Sequence, residues 1–319
     1  MNKNFINVLI SVVALIVSFI IFEGFLIAKN TVIPNYDVEM WKYSRLLKEK
    51  DANEMIGHVH KKNTEVELQK TLIRTNELGL RGPSIAESNW LKVDNRVLLL
   101  GSSIALGWGV PENKILSSVL QDLAKKDSKS WSVLNAGVGN YNTERYVTNY
   151  MQNLRKLDPD TLVVLFFVND TELLKNNSGN FFTRNFQFAV LIWKYIRAFN
   201  ENLGLENIQD YYTSKFEPNY DGYKKARSSL ARLKNHCDAT QKKCLIAMMP
   251  DIHNFDPYPL HFVHENIKKL SQNLGLKYLD LYPYFDGIDT KRLWNSYNDP
   301  HPNELGHKII AEAIYKTLK

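Results

Sequence analysis

The sequence of 319 residues is long enough for one large domain or two small ones, and its 44% hydrophobic and 23% charged residues are typical of a globular chain with a buried core. Its formal charge of +6 comes from Lys and Arg residues that are interspersed with Asp and Glu. The composition therefore argues against disorder, and without a zinc-finger or basic-helix pattern we expect no nucleic-acid partner.

The first element in the chain is an apolar stretch. Residues 5–28 are apolar except for Asn7, Ser11, Ser18 and Glu23, and a stretch of this length can cross a bilayer as one helix. A cleaved signal peptide is the alternative, but the stretch is long for one and no small-x-small cleavage site follows it. We predict an uncleaved single-pass anchor at residues 1–29 in the inner membrane, with the catalytic part on the periplasmic or extracytoplasmic side.

Residues 30–91 are mixed and charged, show weak helical periodicity, and are interpreted as a membrane-proximal lead-in. From residue 92 to 319, short apolar runs alternate with longer amphipathic stretches. The strands predicted from this pattern are RVLLLG, WSVLNAG, DTLVVLFFVND, KCLIAMMPD and LKYLDL. Apolar strands that alternate with helices indicate a parallel sheet covered on both faces. The predicted fold class is α/β, a three-layer α/β/α sandwich with a parallel, flavodoxin-like sheet, preceded by one N-terminal transmembrane helix.

An insertion at residues 171–221 interrupts this alternation. It is rich in aromatic residues, among them Phe181, Phe182, Phe186, Phe188 and Trp193. Two interpretations stay open: the segment is a helix packed on the sheet, or it is a lid, an acyl-binding surface or an amphipathic element that touches the membrane.

Cysteine and histidine positions indicate neither a metal nor a cofactor. Cys237 and Cys244 bracket a polar loop and would form a disulfide in an oxidising compartment or remain two thiols in a reducing one. No Cys and His spacing resembles a zinc site, and His261 and His264, at helical i and i+3, are typical of solvated or capping residues.

Residues with catalytic chemistry follow the predicted strands. In open parallel sheets, ligands bind beyond the carboxyl ends of the strands. Ser102 and Ser103 follow the first strand, the turn NAGVGNYNT belongs to the second, Asn169 follows the third, and NDPHPNELGH precedes the last helix. A hydroxyl, a glycine turn, an amide and a histidine beside an aspartate therefore fall on one edge of the sheet.

This set fits nucleophilic catalysis by a serine. A serine hydroxyl attacks an acyl group once a base removes its proton, and Ser103, His301 and Asp299 are the candidates for nucleophile, base and orienting carboxylate. Asp170 and Asn303 are expected to cap or hold the loops. In the alternative interpretation, the serines are helix caps, the asparagine forms a turn and the histidine is an ordinary loop residue.

The same blocks resemble the SGNH (GDSL-type) hydrolase family over residues 92–319. LLLGSSIALGWGV matches its Gly-Asp-Ser block, VLNAGVGNYNT its glycine block, FFVND its Gly-x-Asn-Asp block and DPHPNELGH its Asp-x-x-His block. The resemblance implies that an oxyanion hole is formed by the backbone N–H of Ser103, a backbone N–H in the turn of Gly139 and Asn140, and the side-chain amide of Asn169.

The chain departs from the family pattern in each block. Ser102 replaces an aspartate, Asn140 the oxyanion glycine and Phe167 a glycine, while Asn298 takes the place of the aspartate three positions before the histidine. Asp299 lies only two positions before His301. The triad therefore includes Asp299, or the enzyme works as a Ser-His dyad.

The sequence predicts a serine esterase that hydrolyses short-chain acyl esters, in particular acetyl esters, on a cell-envelope carbohydrate. The expected partners are an acylated small molecule or polysaccharide and, through residues 5–28, the membrane. One alternative is an O-acyltransferase of polysaccharide assembly that uses the same residues. Another is a catalytically inactive carbohydrate-binding or scaffold protein on the same fold.

Overall fold

The computed structural model describes residues 3–174, 179–202, 207–297 and 299–319. By their internal contacts these residues divide into two compact units. The first comprises the described residues of 1–46 and 177–205, and the second those of 47–176 and 206–319.

The first unit contains helices, and the second contains both helices and strands. The helices are α1 (Lys3–Val32), α2 (Tyr36–Leu46), α3 (Ser103–Leu106), α4 (Leu116–Lys126), α5 (Thr143–Asn149), α6 (Phe181–Asn185), α7 (Gln187–Asn202), α8 (Ile208–Lys215), α9 (Asp221–Ala239), α10 (His261–Leu274), α11 (Tyr282–Phe285) and α12 (Glu304–Leu318). The strands are β1 (Lys48–Lys50), β2 (His58–His60), β3 (Glu65–Leu68), β4 (Thr71–Arg74), β5 (Asn95–Gly101), β6 (Trp131–Gly137), β7 (Thr161–Phe166), β8 (Lys243–Met248), β9 (Lys277–Asp280), β10 (Trp294–Ser296) and β11 (Asp299–Pro302).

The first unit is helical. Among the described residues, α1 is the one helix long and apolar enough to cross a membrane. Phe19 and Phe22 of α1 make edge-to-face contacts with Phe186 and Phe188 at ring-centroid distances of 5.4–5.8 Å. The aromatic insertion therefore packs its α7 segment against the apolar N-terminal helix.

The second unit is built on a five-stranded sheet. Its strand order is β6-β5-β7-β8-β9, and every neighbouring pair is parallel. Numbered by their order along the chain, these strands follow the 2-1-3-4-5 arrangement of doubly wound, flavodoxin-like sheets. The predicted strands and the predicted fold class are confirmed.

Both faces of the sheet are covered because its central strands carry apolar side chains on both sides. On β5, Leu98 and Leu100 point into a core shared with α5, α9 and α10. Val97 and Leu99 point into a second core shared with α3, α4 and α12. Successive side chains of a strand lie on opposite faces, so a continuous apolar run produces the three layers that we expected.

The segment interpreted as a lead-in contains two antiparallel ribbons, β1 with β2 and β3 with β4. Strands of three or four residues are too short to show an alternating pattern, which explains why the sequence showed only weak helical periodicity there. Arg81 forms a bridge to Asn135 on the edge strand β6, with its N–H donating to the Asn135 carbonyl at 3.1 Å. This bridge covers part of an otherwise unpaired sheet edge.

Candidate active site

Ser103 lies at a sharp turn between strand and helix. β5 ends at Gly101 and α3 begins at Ser103, which places the half-buried hydroxyl at the carboxyl edge of the sheet. A Cβ on Gly101 would lie 2.8 Å from the Cβ of Ala105 and 3.0 Å from the carbonyl oxygen of Leu165. Any side chain at this glycine would push α3 away from the sheet, so the glycine determines where the serine lies.

Ser103 is hydrogen-bonded to His301. Its Oγ lies 2.8 Å from His301 Nε2, and His301 Nδ1 lies 2.6 Å from Oδ1 of Asp299. Because a carboxylate only accepts hydrogen bonds, Nδ1 carries a proton in this arrangement and Nε2 accepts from the serine hydroxyl. The structure therefore brings these three residues together in the order that removal of the serine proton requires.

Asp299 reaches the imidazole although only one residue separates it from His301. Its Oδ1 also accepts the backbone N–H of His301 at 3.2 Å, while Oδ2 accepts from Trp108 Nε1 at 3.1 Å and Asn295 Nδ2 at 3.3 Å. Burial by itself would raise the pKa of Asp299, but the bonds from His301 and Asn295 lower it below the usual value. Asp299 is therefore held as a carboxylate, and Asn298 lies outside the described residues.

Comparison with protein families decides what kind of protein this is. The model of the GDSL-like Lipase/Acylhydrolase family matches residues 99–309, which is well over half of the sequence and includes Ser103 and His301. The chain belongs to the GDSL-like lipase/acylhydrolase family. The resemblance seen in the four sequence blocks is thereby confirmed, and this acylhydrolase is a serine enzyme that acts on carboxylic esters.

Several solved structures are similar to this acylhydrolase. The psychrotrophic esterase EstA from Pseudoalteromonas sp. is 14% identical, with a TM-score of 0.45 over 70% of this chain and 97% of that one. The acetylxylan esterase Axe2 from Geobacillus stearothermophilus is 15% identical, with a TM-score of 0.46 over 70% of this chain and 94% of that one. No curated protein matches the sequence. The family model, rather than any single neighbour, therefore identifies the chain.

Two side chains hold the turn after β6, where the resemblance implies an oxyanion donor. His58 Nε2 lies 3.0 Å from the carbonyl oxygen of Gly139, and Arg145 donates to the carbonyl of Asn140 at 3.3 Å. In a trans peptide the C=O and the following N–H point in opposite directions. A Gly139 carbonyl that points to His58 therefore directs the N–H of Asn140 to the other side of the turn, and Asn140 adopts the left-handed φ of 64°.

Burial keeps the His58 ring neutral. Desolvation, with a further contribution from Lys48, lowers the pKa of His58 to about 2. The Nε2 that faces the Gly139 carbonyl must carry the single proton, so Nδ1 is an acceptor, and the Arg145 guanidinium lies 3.4 Å from it. The ring therefore connects the Arg145 guanidinium to the turn of Gly139 and Asn140 in one orientation.

Asn169 lies on the other side of Ser103. β6 and β7 flank β5, so the Asn140 turn and the 3-10 turn Val168–Thr171 lie on opposite sides of the serine-bearing strand. Among the described residues, no hydrogen bond reaches the buried Oδ1 of Asn169. An unpaired buried polar atom is costly and is found more often at sites that bind a ligand. This asparagine therefore has hydrogen-bonding capacity left for a substrate.

Asp170 supports this turn from inside the protein. Its Oδ2 accepts from the Tyr146 hydroxyl at 2.8 Å and from the Phe167 N–H at 3.4 Å. Burial raises the pKa of Asp170 to about 8. The carboxyl is therefore mainly protonated at neutral pH, as suits a group that holds a loop rather than one that carries charge in a reaction.

Arg81 anchors the helix that carries the nucleophile. Its buried guanidinium donates to the carbonyl oxygens of Leu106, Gly107 and Val110 at 2.9, 2.6 and 2.6 Å. These carbonyls lie at and beyond the carboxyl end of α3, where a helix leaves acceptors unpaired and favours a cation. These three acceptors are backbone carbonyls and none is a carboxylate, so backbone dipoles stabilise the positive charge of Arg81. The position of α3 depends on these hydrogen bonds.

The sequence did not reveal four of the side chains that hold the site. His58 and Arg81 come before the region that the family model matches, in the segment interpreted as a lead-in. Trp108 stands between two glycines in the first block. A large side chain in such a turn indicates a specific packing or hydrogen-bonding contact. Asn295 lies only four residues before its partner Asp299, but no pattern around this asparagine indicates that bond.

Replacement of Arg81 by Gln is expected to lower kcat on a small ester by about 10-fold or more and to destabilise the fold by about 3 kcal/mol. The three carbonyls would lose most of their donors, and α3 would shift relative to His301 while the surface that binds substrate stays. KM should therefore change much less than kcat.

The control is Arg74→Gln, which removes an exposed ion pair with Glu112 and should change kcat little. Added guanidinium ion at millimolar concentration should restore part of the activity of Arg81→Ala. A folded Arg81→Gln variant with wild-type kcat would contradict the positioning role.

Stability should fall with rising pH because of Asp170. Between about pH 4 and about pH 8 the unfolded carboxyl is ionised while the folded one keeps its proton, so the free energy of unfolding decreases as pH rises. Asp170→Asn keeps an oxygen acceptor for Tyr146, and its advantage over wild type should grow from pH 4 to pH 9 in thermal unfolding. Asp160→Asn, whose parent carboxyl has its pKa lowered by Arg96, should be less stable than wild type by a nearly constant amount over this range, because the titration of Asp160 falls below about pH 4. Parallel pH curves for wild type and Asp170→Asn would refute this account.

Proposed function

We propose that this acylhydrolase hydrolyses short-chain acyl esters, in particular acetyl esters, on a cell-envelope carbohydrate through an acyl-enzyme on Ser103. The observation that carries the proposal is the continuous hydrogen-bonded series from Ser103 Oγ through His301 to Asp299, with distances of 2.8 and 2.6 Å. Family membership supports the ester chemistry, and the apolar N-terminal helix supports an envelope location.

In the acylation step, Ser103 Oγ attacks the ester carbonyl carbon and its proton moves to His301 Nε2. The imidazolium that forms is stabilised by Asp299, whose carboxylate accepts from Nδ1 at 2.6 Å. When the tetrahedral intermediate collapses, the bond to the alcohol breaks and Nε2 gives its proton to the leaving oxygen. The acyl group stays on Ser103.

Deacylation repeats these proton transfers with an acceptor in place of the alcohol. Water gives hydrolysis, and a sugar hydroxyl gives the O-acyltransferase reaction with the same residues. In both steps the negative oxygen would receive hydrogen bonds from the Ser103 N–H, from the turn of Gly139 and Asn140, and from the Asn169 amide. Loss of one such donor typically lowers kcat by about 10²- to 10³-fold.

An uncleaved anchor is supported by the contacts of α1 within the first unit. The Glu23 carboxylate accepts the backbone N–H groups of Gln187 and Phe188 at 2.6 and 3.0 Å, at the start of α7. Asn30 donates to Glu39 on α2 at 2.9 Å. Removal of α1 as a signal peptide would leave the first N–H groups of α7 without their acceptor, so α1 is better explained as a permanent part of the protein.

The cysteines support an extracytoplasmic location. Cys237 at the end of α9 and Cys244 on β8 form a disulfide. Disulfides persist in oxidising compartments such as the bacterial periplasm and are rare in the cytosol. We therefore propose that the catalytic unit faces the periplasm or the outside of the cell.

Replacement of Ser103 or His301 by Ala should lower kcat on p-nitrophenyl acetate by about 10⁴-fold or more, since each removes a reacting group. Asp299→Asn should cost a comparable factor, because an amide that donates to Nδ1 would leave Nε2 protonated and unable to accept from the serine. Full-length protein in detergent, its fold checked by circular dichroism, is the material for these assays.

The controls are Ser102→Ala, the adjacent hydroxyl that makes no capping bond to α3, and His236→Gln on α9. Both variants should keep kcat on p-nitrophenyl acetate within a few-fold of the wild-type value. Covalent labelling by a fluorophosphonate should occur in wild type and be absent in Ser103→Ala. A folded wild type that neither turns over esters nor takes up the label would disprove the acyl-enzyme.

Glu23→Ala should loosen the first unit without changing the chemistry. Loss of a capping acceptor costs about 0.5–2 kcal/mol, so the α6–α7 segment should be cleaved faster by protease while p-nitrophenyl acetate turnover stays unchanged. Glu23→Gln, which keeps one acceptor oxygen, should show a smaller effect.

The intact mass of the protein isolated from membranes should equal that of the full 36.9 kDa chain. A shorter mass that begins after residue 28 would show that α1 is a cleaved signal.

A further inference from the structure

A second aspartate–histidine pair lies on the same edge of the sheet. Asp251 and His253 follow β8, and His253 Nδ1 lies 2.6 Å from Asp251 Oδ1, which also accepts the backbone N–H of His253 at 2.8 Å. Asp299 and His301 have the same one-residue spacing, with corresponding distances of 2.6 and 3.2 Å. The chain therefore builds the same carboxylate-oriented imidazole twice.

The β10–β11 hairpin connects the two pairs. β8 is two strands away from β5 in the sheet, which corresponds to about 10 Å. On this hairpin, His301 bonds to Ser103 beyond β5, while Trp294 Nε1 donates to the carbonyl of Ile252 beyond β8 at 2.8 Å. The Trp294 ring also contacts the His253 ring at a centroid distance of 6.4 Å. A sugar ring whose acyl group is on Ser103 can extend along this hairpin toward His253.

A buried network fixes the second pair. The backbone N–H of Asp251 donates to the Tyr258 hydroxyl at 3.1 Å, and this hydroxyl lies 2.9 Å from His264 Nε2. His264 Nδ1 in turn lies 2.7 Å from Asp280 Oδ1 at the end of β9. The loop that carries Asp251 is therefore tied to the neighbouring strand by buried hydrogen bonds, which an incidental surface pair would not need.

The free end of the second imidazole faces solvent. The His253 side chain is 56% exposed while Asp251 is 9% exposed. In the described part of the chain, the bonds of the His253 ring end at Nδ1, and no hydroxyl or thiol bonds to Nε2 as Ser103 does to His301. The hydrogen bond that the ring donates to Asp251 raises the pKa of His253. Its Nε2 can accept from a hydroxyl when the ring is neutral and donate to one when it is charged.

We propose that His253, oriented by Asp251, binds a hydroxyl group of the sugar ring that carries the acyl ester or accepts the acyl group. The pair has no nucleophile, so its role is binding and not bond cleavage. Aromatic side chains at Trp294 and Tyr297 on the same hairpin, the latter 84% exposed, offer surfaces for the C–H faces of such a ring. The inference rests on the proposed carbohydrate esterase function and names the residue that would select the sugar.

The test compares an ester with a sugar and an ester without one. His253→Ala should lower kcat/KM for acetylated methyl β-glucopyranosides by about 5-fold or more, the size expected for one lost hydrogen bond, and should act mainly through KM. For p-nitrophenyl acetate, which has no hydroxyl to bind, kcat/KM should stay within about 2-fold of wild type. His253→Gln, which keeps a hydrogen-bonding group, should recover part of the loss.

Asp251→Asn should give an intermediate loss of kcat/KM for the sugar ester alone, because it loosens the imidazole ring of His253 without removing it. His236→Gln should leave kcat/KM unchanged for both substrates. Equal losses on both esters, or no loss on the sugar ester, would overturn the subsite. If wild type cleaves p-nitrophenyl acetate but not the sugar ester, the subsite is also rejected and the esterase stands. If wild type cleaves neither ester, the proposed function itself fails.

Discussion

The hydrogen bond between Ser103 Oγ and His301 Nε2 joins residues 198 positions apart in the chain, and the catalytic chemistry depends on its length. A serine oxygen displaced by one ångström from its base loses most of its reactivity. Two separate sets of contacts prevent such a displacement. Gly101 and Arg81 hold the helix of the serine, and Trp108 and Asn295 hold the carboxylate that orients the histidine.

The segment before the family region takes part in this arrangement. Arg81 donates to three carbonyls at and beyond the end of the helix that carries Ser103, and His58 fixes the peptide that contains the Asn140 N–H. Arg81 is buried and His58 is partly buried, and both are held by hydrogen bonds to backbone carbonyls. A truncation that began at residue 92 would therefore keep every recognised motif and lose the residues that position them.

In the first unit the main constraint is the free-energy cost of placing a carboxylate in an apolar helix. Glu23 would be expensive in a lipid-facing position, but it accepts two backbone N–H groups that α7 leaves unpaired at its beginning. The carboxylate and the two N–H groups thus satisfy each other's hydrogen-bonding needs, and aromatic contacts extend the same interface. The α6–α7 part of the insertion and the N-terminal helix are thus parts of one unit although more than 150 residues separate them.

Local patterns in the sequence determined the parallel sheet and its two covered faces, and they singled out Ser103, Asn169 and His301 as candidates, because apolar runs and the residues that follow them are recognised within a few positions. They also allowed Asp299 as the orienting carboxylate despite its unusual spacing. What only the tertiary structure decided is how Asp299 is held, how the turn at Asn140 is oriented, and which residues before position 92 take part. Most of the partners in those contacts, such as Trp108 with Asp299 and His58 with Gly139, lie tens to hundreds of residues apart, so no local pattern predicts them.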